Sequence, residues 1–201
     1  MRSLYVFMVL VLLTLSASAQ TTSTYRAEQI DGTNNFIQTL EKFNTTRTEI
    51  SAYVTWDAEY LYIGYSGNTP AGPLTDGGRG IFIYIDTDPQ LNPVTGTGTT
   101  TGMPWGWNPT LPFSANYRYA FEVNGTTEFK HTYNGTQWVT DGFFTQNYNG
   151  SGFWEVRIRR ADLGNPAQVN VVTYIQEQWQ GGSITGGMPQ GLFTDNTNQN
   201  G

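Results

Sequence analysis

Between Ile50 and Gln178 the chain keeps returning to one pattern, apolar and polar residues alternating at every second position in short runs. A period of two sends successive side chains to opposite faces of an extended strand, so the pattern commits the chain to β-structure. Ile50, Ala52, Val54 and Trp56 alternate with Ser51, Tyr53 and Thr55. Asp57-Ala58-Glu59 then turns the chain into Tyr60 to Tyr65, which predicts a hairpin. Tyr117, Tyr119, Phe121 and Val123 alternate with Arg118, Ala120 and Glu122, and Trp154, Val156 and Ile158 with Glu155, Arg157 and Arg159. Ile81 to Ile85 is apolar on both faces and reads as a central strand. Asn124-Gly125 and Asn134-Gly135 supply the positive φ of hairpin turns, which brackets strands over 127–133 and 137–140. Further strands are expected over 143–148 and 169–178. Short strands with a turn about every ten residues predict an all-β fold, an antiparallel β-sandwich or barrel. Trp56, Ile83, Phe121 and Trp154 lie on the apolar phases and are expected in the core. The exception is Phe36, Ile37, Leu40 and Phe43, whose spacing suits a short amphipathic helix or a strap packed over one end of the sandwich.

Two segments break the rhythm. Thr87 to Asn116 is 30 residues long with five Pro, four Gly and seven Thr, and loops of that length inside compact domains are usually functional or disordered. Past Trp179 the chain is Gly-rich and then polar to Gly201, like a tail or linker. At the other end Arg2, the apolar run Leu4 to Leu15 and Ala17-Ser18-Ala19 have the order of an export signal cleaved after Ala19. The apolar core of that run is about a dozen residues, short of the roughly 20 a transmembrane helix needs. The expected organisation is a signal peptide over 1–19, a β-sandwich over 20–185 and a polar tail over 186–201. The mature chain is expected to be secreted or at the cell surface, of a bacterium, without membrane insertion. Four Asn-x-Thr/Ser sequons accompany this, and three of them double as Asn-Gly turns.

Composition narrows the chemistry. Of 201 residues, ten are basic and sixteen acidic, a net charge of −6, which argues against a nucleic-acid or anionic-membrane partner. With no Cys, thiolate metal sites and cysteine nucleophiles are excluded. His131 is the single imidazole, in strand phase with Phe129 and Tyr133, and reads as a packed strand residue rather than a catalytic base. Glu122, Glu128 and Glu155 are strand carboxylates opposite the apolar face; a glycosidase would need two of them facing each other across a groove. Asp86 and Asp88 close the central strand, either as calcium ligands or as turn residues that accept backbone N–H bonds ahead of Pro89. Haem is not expected, because the mature axial candidates are only His131, Met103 and Met188. The best candidates are aromatic. Trp105 and Trp107 stand one residue apart in the long loop, outside any strand pattern, and either stack on sugar rings or fold back as a lid. Trp179 is a further candidate for the same surface.

A resemblance adds to this reading. Ile30-Asp31-Gly32, the hairpin Val54-Thr55-Trp56-Asp57-Ala58-Glu59-Tyr60-Leu61-Tyr62-Ile63 and the strand Ile83-Tyr84-Ile85-Asp86-Thr87-Asp88 resemble the family 9 carbohydrate-binding modules and related DOMON-like sandwiches. So do Phe153-Trp154-Glu155-Val156-Arg157-Ile158 and Ala161-Asp162-Leu163-Gly164. The Trp expected shortly after the Asp-Gly opening is absent, Phe36 standing nearest. The resemblance implies a β-sandwich, no catalysis and often bound calcium, and carries over no particular sugar-binding residue. The expected function is non-catalytic binding of a polysaccharide or cell-surface glycan through Trp105, Trp107 and Trp179. The rivals are a structural or adhesive domain without a small ligand, and a glycoside hydrolase.

Overall fold

A computed structural model describes residues 26–104, 109–125, 127–142, 147–150, 152–178 and 182–191, with the side chains of 147–149 excepted. In chain order the strands are β1 (Lys42–Asn44), β2 (Ile50–Trp56), β3 (Tyr60–Thr69), β4 (Gly72–Pro73) and β5 (Gly80–Asp86). Then come β6 (Thr99–Thr101), β7 (Thr110–Ala115), β8 (Tyr117–Glu122), β9 (Glu128–Tyr133) and β10 (Trp138–Thr140). The series closes with β11 (Asn147–Asn149), β12 (Phe153–Arg159), β13 (Asn170–Gln176) and β14 (Ile184–Met188). Single 3-10 turns at Leu74–Asp76 and Arg160–Leu163 are the only helical elements among the described residues.

The first sheet has the order β1-β2-β3-β12-β11, with β4 paired to β3; the second runs β10-β9-β8-β5-β13-β14. All pairings are antiparallel. The sheets face each other over one core, to which the first contributes Ala52, Leu61, Ile63, Trp154 and Val156 and the second Ile81, Ile83, Ile85, Tyr119 and Phe121. The fold is therefore an antiparallel β-sandwich. Alternation along each strand decides which residues enter the core, as the period of two requires. Ile83, Phe121 and Trp154 are buried as the sequence phasing predicts. Trp56 is half-buried and packs against the rim of the core rather than within it, because it ends β2 at the turn.

Three features of the fold matter for function. No helix forms at Phe36–Phe43; a turn closes at Ile37–Glu41, where the Glu41 N–H donates to the Ile37 carbonyl at 2.8 Å, and the chain enters edge strand β1. The segment is a strap, with Phe36 buried against Tyr53 and Phe153 on the outer face of the first sheet. The long loop contains a hairpin, β6–β7, whose Leu111, Phe113 and Ala115 pack on the outer face of the second sheet. This explains why β5 is apolar on both faces, since it lies between two apolar layers. Finally, β14 carries the sandwich to Met188, past the boundary at 185 drawn from the Gly-rich composition.

Candidate functional site

The outer face of the second sheet collects aromatic rings. On β5, β8, β9, β10 and β13 the side chains pointing away from the core are Phe82, Tyr84, Arg118, His131, Tyr133, Trp138 and Tyr174, as the cross-strand register requires. Phe82 stacks on Tyr174 at 5.2 Å between centroids, and Tyr84 lies 6.3 Å from Tyr174 in a similar plane. Trp138 meets Tyr84 edge-on at 5.8 Å and Tyr133 at 5.5 Å. The rings form a continuous floor from β13 to the edge strand β10, where Trp138 and Tyr133 remain partly exposed.

A cation is set into that floor. Arg118 is fully buried, its guanidinium carbon 4.9 Å from the centre of the Phe82 ring, a cation–π distance. Its Nη1 hydrogen-bonds to His131 Nδ1 at 3.1 Å and to the Met103 sulfur at 3.4 Å. An arginine can only donate, so His131 Nδ1 accepts and the ring is neutral with its proton on Nε2. Burial, and then the Arg118 charge, push the His131 pKa down to about 4. The imidazole thus orients the guanidinium, in keeping with the packed strand histidine expected from the sequence.

The β6–β7 hairpin is fastened over the same floor. Trp138 Nε1 donates to the Thr101 carbonyl at 3.0 Å, and the Met103 N–H donates to the Tyr84 hydroxyl at 3.1 Å. Gly102 N–H donates to the Pro109 carbonyl at 2.8 Å and closes the base of the excursion that bears Trp105 and Trp107. A Cβ at residue 102 would stand 2.6 Å from the Pro109 ring, so only glycine permits that closure. Trp105 and Trp107 themselves lie outside the described residues, as does Trp179, three positions beyond the end of β13.

Asp86 is buried; its Oδ1 accepts the Asp88 N–H at 2.9 Å and its Oδ2 accepts Asn170 Nδ2 at 3.0 Å. Burial raises the Asp86 pKa against these bonds. Asp88 Oδ2 accepts the Thr97 N–H at 3.1 Å, leaving Oδ1 buried without a hydrogen-bond partner among the described residues. These bonds, from Asp86 to the Asp88 N–H and from Asp88 to the Thr97 N–H, are of the kind turn residues make. Among the described residues no group of three or more His, Cys, Asp or Glu is placed to hold a metal ion. Glu122 follows the outward phase of β8, and Glu128, opposite Phe121, follows the other face. Glu155 belongs to the first sheet and is fully buried, covered by the strap. The three do not form a pair across a groove.

Sequence reasoning missed Arg118, Tyr84 and Tyr174 as site residues and left Trp138 unassigned. The signal was present in the second apolar face of Ile81 to Ile85 and in the single cation alternating with aromatics on β8.

No protein-family model matches the chain, and no curated protein matches it in sequence. Among solved structures the chain is similar to a carbohydrate-binding module of family 9 from Caldicellulosiruptor kristjanssonii, solved in complex with glucose. The identity is 16% and the TM-score 0.41, over 87% of this chain and 97% of that one.

Proposed function

We propose that the protein is an exported, non-catalytic carbohydrate-binding module that takes a glycan at the edge of the aromatic floor, with Trp105 and Trp107 as its stacking platform and Trp179 beside it. The observation that carries the reading is the placement of the hairpin. Its base is tied at Thr101 and Met103 to the partly exposed Trp138, to Tyr84 and to the buried Arg118 guanidinium, and Gly102 ties the other end of the Trp-bearing excursion at Pro109. Aromatic faces suit the C–H faces of pyranoses, and Arg, Asn and Gln side chains suit their hydroxyls. By analogy with base stacking each ring contributes about 1–3 kcal/mol, which puts binding in the micromolar to millimolar range once ordering costs are met. The buried, neutral His131 and the separated carboxylates favour binding over hydrolysis.

The test is a glycan array on the mature protein, followed by calorimetry of the best hit against Trp105→Ala, Trp107→Ala and Trp138→Ala. Each is expected to weaken binding about tenfold or more, and the two loop variants to leave the urea midpoint nearly unchanged. A large loss of stability in the loop variants with glycan binding intact would make both indoles a lid. A silent array would favour the structural reading.

A further inference from the structure

The pairs Asn124-Gly125, Asn134-Gly135 and Asn149-Gly150 fall within the described residues, and Asn200-Gly201 lies outside them. Each invites the same self-reaction, because glycine has no side chain to shield the amide nitrogen that follows the asparagine. That nitrogen has to lose its proton and bond to the asparagine Cγ. The hydrogen bonds of the two groups therefore decide which pair reacts.

In two of the pairs the nitrogen is tied down. Gly125 N–H donates to the Glu122 carbonyl at 3.1 Å, and Gly150 N–H to the Phe153 carbonyl at 2.8 Å. The Glu122 carboxyl also lies against Gly125, an acidic group beside the nitrogen that would have to become an anion. The turn between β9 and β10 is arranged differently. Asn134 and Gly135 are exposed, and Gly135 N–H donates to no group among the described residues. Nothing described lies within 4 Å of the place a Cβ on residue 135 would take, so the turn has room for a ring. Asn134 Oδ1 accepts the Thr136 N–H at 3.1 Å, the Thr136 hydroxyl at 2.9 Å and the Gln137 N–H at 3.0 Å. These donors converge on the oxygen that gains negative charge when Cγ is attacked, as donors to an oxyanion do.

We propose that Asn134 is a self-modification site, which deamidates through a cyclic imide ahead of Asn124 and Asn149. A solvent base takes the Gly135 N–H proton, the nitrogen bonds to Asn134 Cγ, and the carbonyl electron pair moves onto Oδ1. The pair returns as the Cγ–Nδ2 bond breaks, and the nitrogen leaves as ammonia with a proton from the conjugate acid of that base. Water then opens the imide at either carbonyl and leaves aspartate or isoaspartate. Isoaspartate routes the main chain through Cβ and Cγ, so the Oδ1 carbonyl becomes a peptide carbonyl and gives up its bonds to Thr136 and Gln137. That turn carries Trp138, whose Nε1 donates to the Thr101 carbonyl at 3.0 Å and whose ring meets Tyr133 at 5.5 Å. The modification loosens this edge of the aromatic floor, whatever ligand the floor takes.

Peptide mapping by mass spectrometry of the whole protein, aged at about pH 6 and about pH 8, reads each pair separately, since deamidation adds about 1 Da. Asn134 is expected to convert at least about fivefold faster than Asn124 or Asn149, whose glycine amides must first break a hydrogen bond. The Asn134 rate is expected to rise at least about tenfold between the two pH values, because a base takes the proton. In aged protein the Trp138 indole N–H is expected to exchange at least about threefold faster than in fresh protein. Asn134→Ser, which keeps an oxygen acceptor in the turn and has no amide to lose, is expected to show no such drift. Equal rates at the three pairs, or an Asn134 peptide that gains no mass, would overturn the site. Unchanged Trp138 exchange in protein carrying isoaspartate would overturn its effect on the floor.

Discussion

Gly64→Ala reverses a usual sign. In a strand interior, replacing glycine by alanine ordinarily gains about 0.5–1 kcal/mol through lost chain entropy. At Gly64, in the middle of β3, the new Cβ would stand 2.5 Å from Phe153 Cζ, 3.1 Å from Phe36 Cε2 and 3.2 Å from Phe153 Cε1. The Phe153 ring has little room to yield. It is 3% exposed and held by Phe36 at 5.9 Å and Tyr53 at 5.4 Å. Overpacking of this kind costs about 1–3 kcal/mol, and setting the entropy gain against it leaves a net loss of about 1–2 kcal/mol. For a chain of this size that lowers the melting temperature by about 2–8 °C. Urea unfolding of Gly64→Ala, Phe153→Leu and the double variant is the assay. The double variant is expected to be more stable than the sum of the singles by at least about 0.5 kcal/mol, since the smaller side chain vacates the contested space. Gly64→Ala at or above the parent's stability would refute the packing argument beneath the strap.

Three further predictions are independent of it. Trp154→Ala removes a fully buried indole packed on Phe121 at 5.2 Å and is expected to cost about 3–5 kcal/mol in urea unfolding; a loss below about 1 kcal/mol would contradict its place in the core. His131, held down to about 4, contributes stability that is complete above its unfolded value of 6.5 and lost as pH falls through 4. The parent should therefore lose up to about 3 kcal/mol relative to His131→Gln across that window, and parallel acid titrations of the two would count against the buried pair. For Asp86 and Asp88, equal melting temperatures in calcium and in chelator are expected from their turn-capping bonds. A rise with calcium that Asp88→Asn abolishes would make them ligands.

The hairpin turns were legible because their chemistry is local. Asp57 Oδ1 accepts the N–H groups of Glu59 and Tyr60, Asn134 Oδ1 those of Thr136 and Gln137, and Asn124 adopts the positive φ its Asn-Gly pair suggests. Strand phase was legible for the same reason, and it placed Ile83, Phe121 and Trp154 correctly. Phase tells which side of a sheet a residue takes, but not whether a distant segment covers that side. Glu155 and Arg118 both point away from the core, as expected, and both are buried because the strap and the β6–β7 hairpin lie over them. The hairpin itself was masked by Pro and Gly; its β-branched run Thr99-Thr100-Thr101 was the available sign.

The margins of the two sheets have a consequence for how the molecule behaves at high concentration. An unprotected strand margin is a template on which another chain can add a strand. Here β1, β10 and β11 are three residues each, so each offers only about one or two outward amides. The longer β14 is stitched to the other sheet, where Thr46 N–H donates to the Gly187 carbonyl and Gly187 N–H to Thr46 Oγ1, both at 2.9 Å. In a chain with 14% aromatic residues, the margins of the two large sheets thus offer little on which copies could zip together. Lengthening β1 or β10 by a few β-branched residues would extend the template on which another copy could add a strand.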